Sequence, residues 1–271
     1  ALGFALSRLC FEGPLDTLTL TEHAQPALVT TSWAVARVLD AEFGLRPAWV
    51  AGHSLGEFSA LVAGGALRFE DAVRVVRERG RAMQAAVAPG VGSMAALLGL
   101  ELAQVEEICA AAAGDEVVSP ANLNGAGQIV IAGHAAAVAR AIALAKERGA
   151  RRALPLNVSA PFHCALMQPA AERLAAVLAE VEFAPLACPV ISNVEARPCD
   201  DSTRLRDLLV RQVTQPVRWE ESMRALAGLG CTTAIEAGPG KVLAGLVKRI
   251  APEMRVLAGE DPEALRAGLE G

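Results

Sequence analysis

Between Gly92 and Ser159 the chain reads strand (SMAALLGL), helix (AQVEEICAAAA), strand (VVSPANL), strand (QIVIAG), helix (AAAVARAIALAKERG) and strand (RRALPLNV). No other feature constrains the fold as much. The order βαββαβ is the split, ferredoxin-like pattern, and the Pro89-Gly90-Val91-Gly92 turn bounds it on one side. Outside it, helices and strands alternate. A helix is expected from Gln25 to Phe43, a short buried strand in AWVAG, a helix in LGEFSALVAGGA and another from Phe69 to about Val87. Beyond the interruption follow a helix (MQPAAERLAAVLAEV), a strand (PVISNV), a helix (RLRDLLVRQV), a strand (TTAIEAG) and a helix (GKVLAGLVKRI). Such alternation predicts a parallel α/β sheet, so the expected architecture is an α/β body of residues 1-90 and 160-271 holding a ferredoxin-like small domain of residues 91-159.

With 271 residues, 53% of them hydrophobic, the chain can bury a full core. A net charge of -5 with both signs interspersed leaves no basic stripe for a phosphate backbone, which argues against nucleic acid as a partner. No apolar run approaches the roughly 18 residues that span a bilayer, and no signal peptide opens the chain, so a soluble protein is expected, and its scattered cysteines fit a reduced, cytoplasmic setting. Six cysteines lie scattered without a CxxC pair beside only four histidines, which suggests neither a metal site nor a disulfide framework.

The strand of AWVAG runs into Gly52-His53-Ser54-Leu55-Gly56, which fits G-x-S-x-G and is followed at once by a helix. That setting is the one a nucleophile elbow requires, and it gives the body an α/β-hydrolase-like cast. The plainer role for Ser54 is a helix N-cap. A serine hydroxyl needs a base, and only His23, His53, His134 and His163 offer an imidazole. Neighbours around a tight elbow point apart, which makes His53 a support. His23 is read in a polar loop and His134 as a helix cap, leaving His163 in SAPFHCALM, on the loop after the inserted unit.

With Ser54 in GHSLGE, His163 in SAPFH and a ferredoxin-like unit between them, the chain resembles the malonyl-CoA:acyl-carrier-protein transacylases, acyltransferases of fatty-acid and polyketide synthesis. RERGRAMQ, SPANLNGAGQIVIAGH, VRQVTQPVRW and EAGPGKVLAGLVKRI carry the likeness nearly end to end. The resemblance implies a ping-pong transfer: Ser54 takes a malonyl group from malonyl-CoA and passes it to the phosphopantetheine thiol of acyl carrier protein, with His163 as base and then acid. It implies no cofactor and no metal, and a monomer is expected. In the family a main-chain carbonyl steers the histidine, and the matching position is Gln212.

The malonyl carboxylate calls for an arginine, whose fork binds carboxylates in bidentate fashion. Of Arg74, Arg77, Arg79 and Arg81, Arg79 falls about 60° from the centre of the Val73, Val75, Val76, Met83, Val87 face and Arg77 about 100°. Arg79 also occupies the position of the family's carboxylate-binding arginine. The likeness further assigns acyl selectivity to Phe162, whose ring blocks an α-methyl branch, against a plainer role of packing the domain junction. Asn122 and Asn124 match a pair at the rim between the domains, though NG sequences also favour turns.

The family opens on a strand and a GQGSQ-like segment whose first glutamine supplies one oxyanion N-H beside that of the residue after the serine, here Leu55. This chain opens at ALGFALSRLC, which resembles sequence inside the family's N-terminal region, so the first strand and glycine-rich segment are expected to be missing. Two other readings stay open. A serine esterase or thioesterase of α/β-hydrolase type would need an Asp or Glu on His163, and an impaired acyltransferase that only docks carrier protein would bind without being acylated.

Overall fold

The computed structural model describes residues 1–270. Two short helices, α1 (Leu6–Glu12) and α2 (Leu15–Leu18), lead into α3 (Thr21–Phe43), α4 (Gly56–Ala63) and α5 (Phe69–Ala85). Helix α3 begins one turn earlier than expected and runs through Pro26, which forgoes one backbone hydrogen bond but is itself buried. His23 therefore stands on a helix, edge-on to Phe4, and not in a polar loop.

The interrupting unit has the expected order: β1 (Gly92–Leu98), α6 (Leu102–Ala113), β2 (Val118–Leu123), β3 (Gln128–His134), α7 (Ala135–Glu147), β4 (Arg152–Pro155). Its sheet runs β2-β3-β1-β4 with every neighbour antiparallel. Period-two alternation gives the sheet two apolar faces. Ala95, Leu97, Ile129 and Ile131 pack on Val105 and Ile108 of α6 and on Val138 and Ala141 of α7. Met94, Val130 and Ala132 face the other way, onto Cys164 and Phe162. That second face is what seats the loop bearing His163. The other junction is a backbone stitch, in which Leu123 N donates to Val217 O and Val217 N to Ala121 O at 2.8 and 2.9 Å.

The rest of the chain supplies α8 (Gln168–Ala179), β5 (Val190–Ile191), β6 (Pro198–Cys199), α9 (Leu205–Thr214), α10 (Trp219–Gly228), β7 (Thr233–Glu236), α11 (Val242–Ile250), β8 (Arg255–Ala258) and α12 (Pro262–Glu270). Helices α4, α5, α8 and α9 enclose one apolar core containing Phe58, Leu61, Val76, Leu174 and Leu208, and α10 and α11 close a second around Trp219, Met223 and Leu246. The protein is mixed α/β, but its body holds less sheet than expected. AWVAG contributes a single parallel bridge, Val50 to Val190, PVISNV shortens to β5, and the extended parallel pairing is β7 with β8. Apolar content marks these segments as buried, whereas a ladder also needs a neighbouring strand that stays in register over several residues, and Val50 pairs at a single position. Helix α10 and strand β8 were not anticipated from the sequence.

Candidate active site

Gly52 makes the elbow possible. A Cβ at this position would stand 2.0 Å from the carbonyl carbon and oxygen of Gly56, so only glycine lets the strand end fold against the start of α4. The turn throws Ser54 into the left-handed region, φ 51°, at the N-terminal end of that helix. Asn193, on the segment after β5, holds it there: its Oδ1 accepts from Ser54 N at 2.7 Å and its Nδ2 donates to Gly52 O at 2.7 Å. His163 is also left-handed, at φ 61°, and left-handed backbone at non-glycine residues persists only where surroundings over-determine it.

The two meet. Ser54 Oγ lies 2.7 Å from His163 Nε2, while His163 Nδ1 lies 2.7 Å from the main-chain oxygen of Gln212. A carbonyl only accepts, so Nδ1 carries the ring proton and Nε2 is left as the acceptor facing the hydroxyl. Burial, followed by the charge on Arg79, pushes the imidazole pKa down to about 3, which keeps the ring neutral and able to take a proton.

Arg79 comes to the same oxygen from α5, with its Nη2 donating to Ser54 Oγ at 3.0 Å. It can reach because α5 and the start of α3 touch at Gly80, where a Cβ would stand 2.7 Å from Thr21 O. That contact brings Gln25 alongside, and its Oε1 accepts from Arg79 Nη1 at 2.8 Å. Arg79 is 2% exposed, and its Nε has no hydrogen-bond partner. Arg79 is thus the one deeply buried arginine of the four, on the inward face of its helix, while Arg81 and Arg74 pair with acidic neighbours at the surface. A desolvated guanidinium beside a nucleophile is a receptor for an anionic group.

The Gln212 side chain, unforeseen from the sequence, ties these parts together. Its Oε1 accepts from Arg79 Nη2 at 2.9 Å, and its Nε2 donates to Ser54 O at 2.9 Å and to Glu57 Oε2 at 2.7 Å. Burial raises the Glu57 carboxyl to about 7, against the hydrogen bonds of Gln212 and Asn193. Gln25, Glu57 and Asn193 escaped sequence reading. Their one local signal is a polar residue amid apolar ones, as in ISNV.

The remaining candidates lie around this centre. Leu55 N-H makes no hydrogen bond among the described residues. Phe162 is half-buried and packs against both the body core and the cluster under the small sheet, the junction position. Asn124 Oδ1 accepts from His53 Nε2 at 2.9 Å, and the His53 ring leans on Trp219 at 5.6 Å, so His53 is a support. Asn122 is buried where β2 bridges Val217. Neither asparagine bonds Ser54, His163 or Arg79. His134 caps α7 and accepts from Val117 N through Nδ1. No cluster of three or more His, Cys, Asp or Glu with metal-binding geometry occurs among the described residues.

A family model described as acyl transferase domain matches residues 1–258. The malonyl CoA-acyl carrier protein transacylase of Escherichia coli (strain K12) is 49% identical over 270 residues, covering 100% of this chain and 87% of that protein. The crystal structure of an acyl carrier protein S-malonyltransferase from Vibrio cholerae superposes with a TM-score of 0.96 at 48% identity, over 98% of this chain and 87% of the other. A malonyl-transacylase in complex with the holo form of AntF, a type II PKS acyl-carrier protein, matches with a TM-score of 0.96 at 44% identity, over 99% and 87%.

Proposed function

The chain belongs to the acyl transferase domain family, and from that premise we propose that it transfers malonyl from malonyl-CoA to the phosphopantetheine thiol of acyl carrier protein. The observation that carries the reading is one oxygen, Ser54 Oγ, set 2.7 Å from His163 Nε2 and 3.0 Å from Arg79 Nη2. Nucleophile, base and carboxylate receptor converge on it.

In the proposed cycle Ser54 Oγ attacks the malonyl thioester carbonyl while His163 Nε2 takes the hydroxyl proton. The C-S bond then breaks and His163 returns the proton to the coenzyme A thiolate, leaving malonyl esterified to Ser54. The carrier thiol attacks the ester, gives its proton to His163, and the serine oxygen leaves with that proton. Atoms and charges balance without a metal or cofactor. The unpartnered N-H of Leu55, at the positive end of α4, is assigned to the developing oxyanion.

Arg79 receives the malonyl carboxylate. Pairing it also cancels the positive charge that helps hold the His163 pKa down, so the substrate makes its own base stronger. Phe162 is assigned the exclusion of an α-branch. Asn124 acts through His53, and Asn122 lines the junction.

Support for transfer over hydrolysis comes from His163 Nδ1, which faces the Gln212 carbonyl where an esterase triad has a carboxylate. We read residues 91-159, with strand order β2-β3-β1-β4, as the ferredoxin-like domain, and residues 1-90 with 160-271 as the hydrolase-like body. No helix among the described residues is long and apolar enough to cross a membrane, and a monomer acting in the cytoplasm is proposed. Incubation with malonyl-CoA should add one malonyl group, seen by intact mass, absent in Ser54→Ala and discharged onto holo carrier protein. No adduct, or an adduct released to water equally fast without carrier, sinks the proposal.

A further inference from the structure

Glu57 is a carboxylate on the first turn of α4 that no step of the cycle uses, and it is 2% exposed. Both its oxygens lie 3.4 Å from Asn193 N-H, and Oε2 accepts from Gln212 Nε2 at 2.7 Å. On the far side of the same amide, Gln212 Oε1 holds Arg79 Nη2 at 2.9 Å. We propose that Glu57 is a positioning residue that sets the orientation of the Gln212 amide and through it aims Arg79 at the acyl group.

A primary amide has one accepting end and one donating end, and turning it exchanges them. Above about pH 7, where Glu57 is ionised, the two groups beside Gln212 Nε2, its carboxylate and the Ser54 carbonyl, only accept. They force the nitrogen to their side and leave the oxygen for the guanidinium, which only donates. A neutral amide at position 57 weakens this constraint to the Ser54 carbonyl alone. It can present its own NH2 to Gln212, the Gln212 amide can then turn, and Arg79 meets a donor and lets go. Charge acts in the same direction. Burial lowers the Arg79 pKa to about 10, and the Glu57 charge opposes that fall, so once ionised, above about pH 7, this carboxylate is also the counter-ion of the buried guanidinium. The two are linked through Gln212 instead of paired directly, which leaves the Arg79 fork able to take a second anion.

This rests on the acyl-transfer reading, in which Arg79 serves charged acyl groups and not acetyl. The test is the rate of acyl-enzyme formation from malonyl-CoA and from acetyl-CoA in Glu57→Gln, alone and combined with Arg79→Ala. Glu57→Gln should lower malonyl kcat/KM about 10- to 100-fold, mainly through KM, as expected for losing a hydrogen bond to a charged group, and leave acetyl within about 3-fold. In the Arg79→Ala background the same change should cost no more than about 2-fold. An equal loss for both thioesters, an undiminished loss without Arg79, or rates like the parent's overturn the proposal. Should Glu57→Gln not fold, Glu57→Asp takes its place: the shorter carboxylate draws back from Gln212 Nε2 while every catalytic group stays, and it must show the same selective, Arg79-dependent loss. A parent chain that is not acylated by malonyl-CoA sinks the function itself, a result separate from any of these.

Discussion

Arg79 Nη2 donates to Ser54 Oγ at 3.0 Å, so in the free site the guanidinium assigned to the substrate rests on the nucleophile. The bond spends a lone pair of the oxygen and directs the hydroxyl proton to His163 Nε2, 2.7 Å away. A substrate carboxylate competes for the same N-H. On the proposed function its arrival would free the lone pair and neutralise the charge that, after burial, depresses the imidazole, two effects that an uncharged acyl group would not produce.

Arg79→Ala should therefore lose malonyl transfer by about 100-fold or more, the usual scale for removing one member of a buried charge pair. Acetyl-CoA should lose nothing and gain relative to malonyl-CoA. Initial rates with the two thioesters check this, and an unchanged preference would remove Arg79 from carboxylate binding.

Phe162 packs on two apolar clusters at once, which is enough to explain a large ring without any part in selectivity. If it also blocks an α-methyl, Phe162→Ser should raise methylmalonyl-CoA relative to malonyl-CoA about 10-fold, the scale of one methyl group in a pocket. A fall in both rates at constant ratio would leave it a packing residue.

The two glycines flanking Ser54 should behave differently. A Cβ at Gly52 meets the Gly56 carbonyl at 2.0 Å, whereas a Cβ at Gly56 meets nothing within 4 Å. Gly52→Ala should cost about 3 kcal/mol or fail to fold. Gly56→Ala, inside α4, should hold or gain about 0.5–1 kcal/mol in thermal unfolding. Equal losses in the two would contradict the elbow geometry.

Glu57 should shape stability against pH. Its carboxyl is raised from 4.5 to about 7 in the folded chain, so the folded state binds the proton more tightly. The stability this confers is full below pH 4.5 and is lost as pH rises through about 7, on the order of 3 kcal/mol across the window. The depressed pKa of His163 acts in the opposite sense, with stability lost as pH falls from 6.5 toward 3, but it is common to parent and variant. The Tm of Glu57→Gln minus that of the parent should thus increase from pH 5 to pH 8. A constant difference would show that Glu57 does not titrate in this range.

Ser54 in its strand-turn-helix setting, His163 as the remaining imidazole and Arg79 on the inward face of its helix were all legible in the sequence, as was the βαββαβ order. Each is a local property, because turn chemistry and helical or strand periodicity depend on residues a few positions apart. Tertiary structure decided the rest. Gln25, Glu57, Asn193 and Gln212 are joined to the site by hydrogen bonds spanning 54 to 158 positions, and such partners leave no periodic trace. The body strands shortened for the same reason: apolar content marks a segment as buried, while the length of a ladder depends on which distant segment lies beside it.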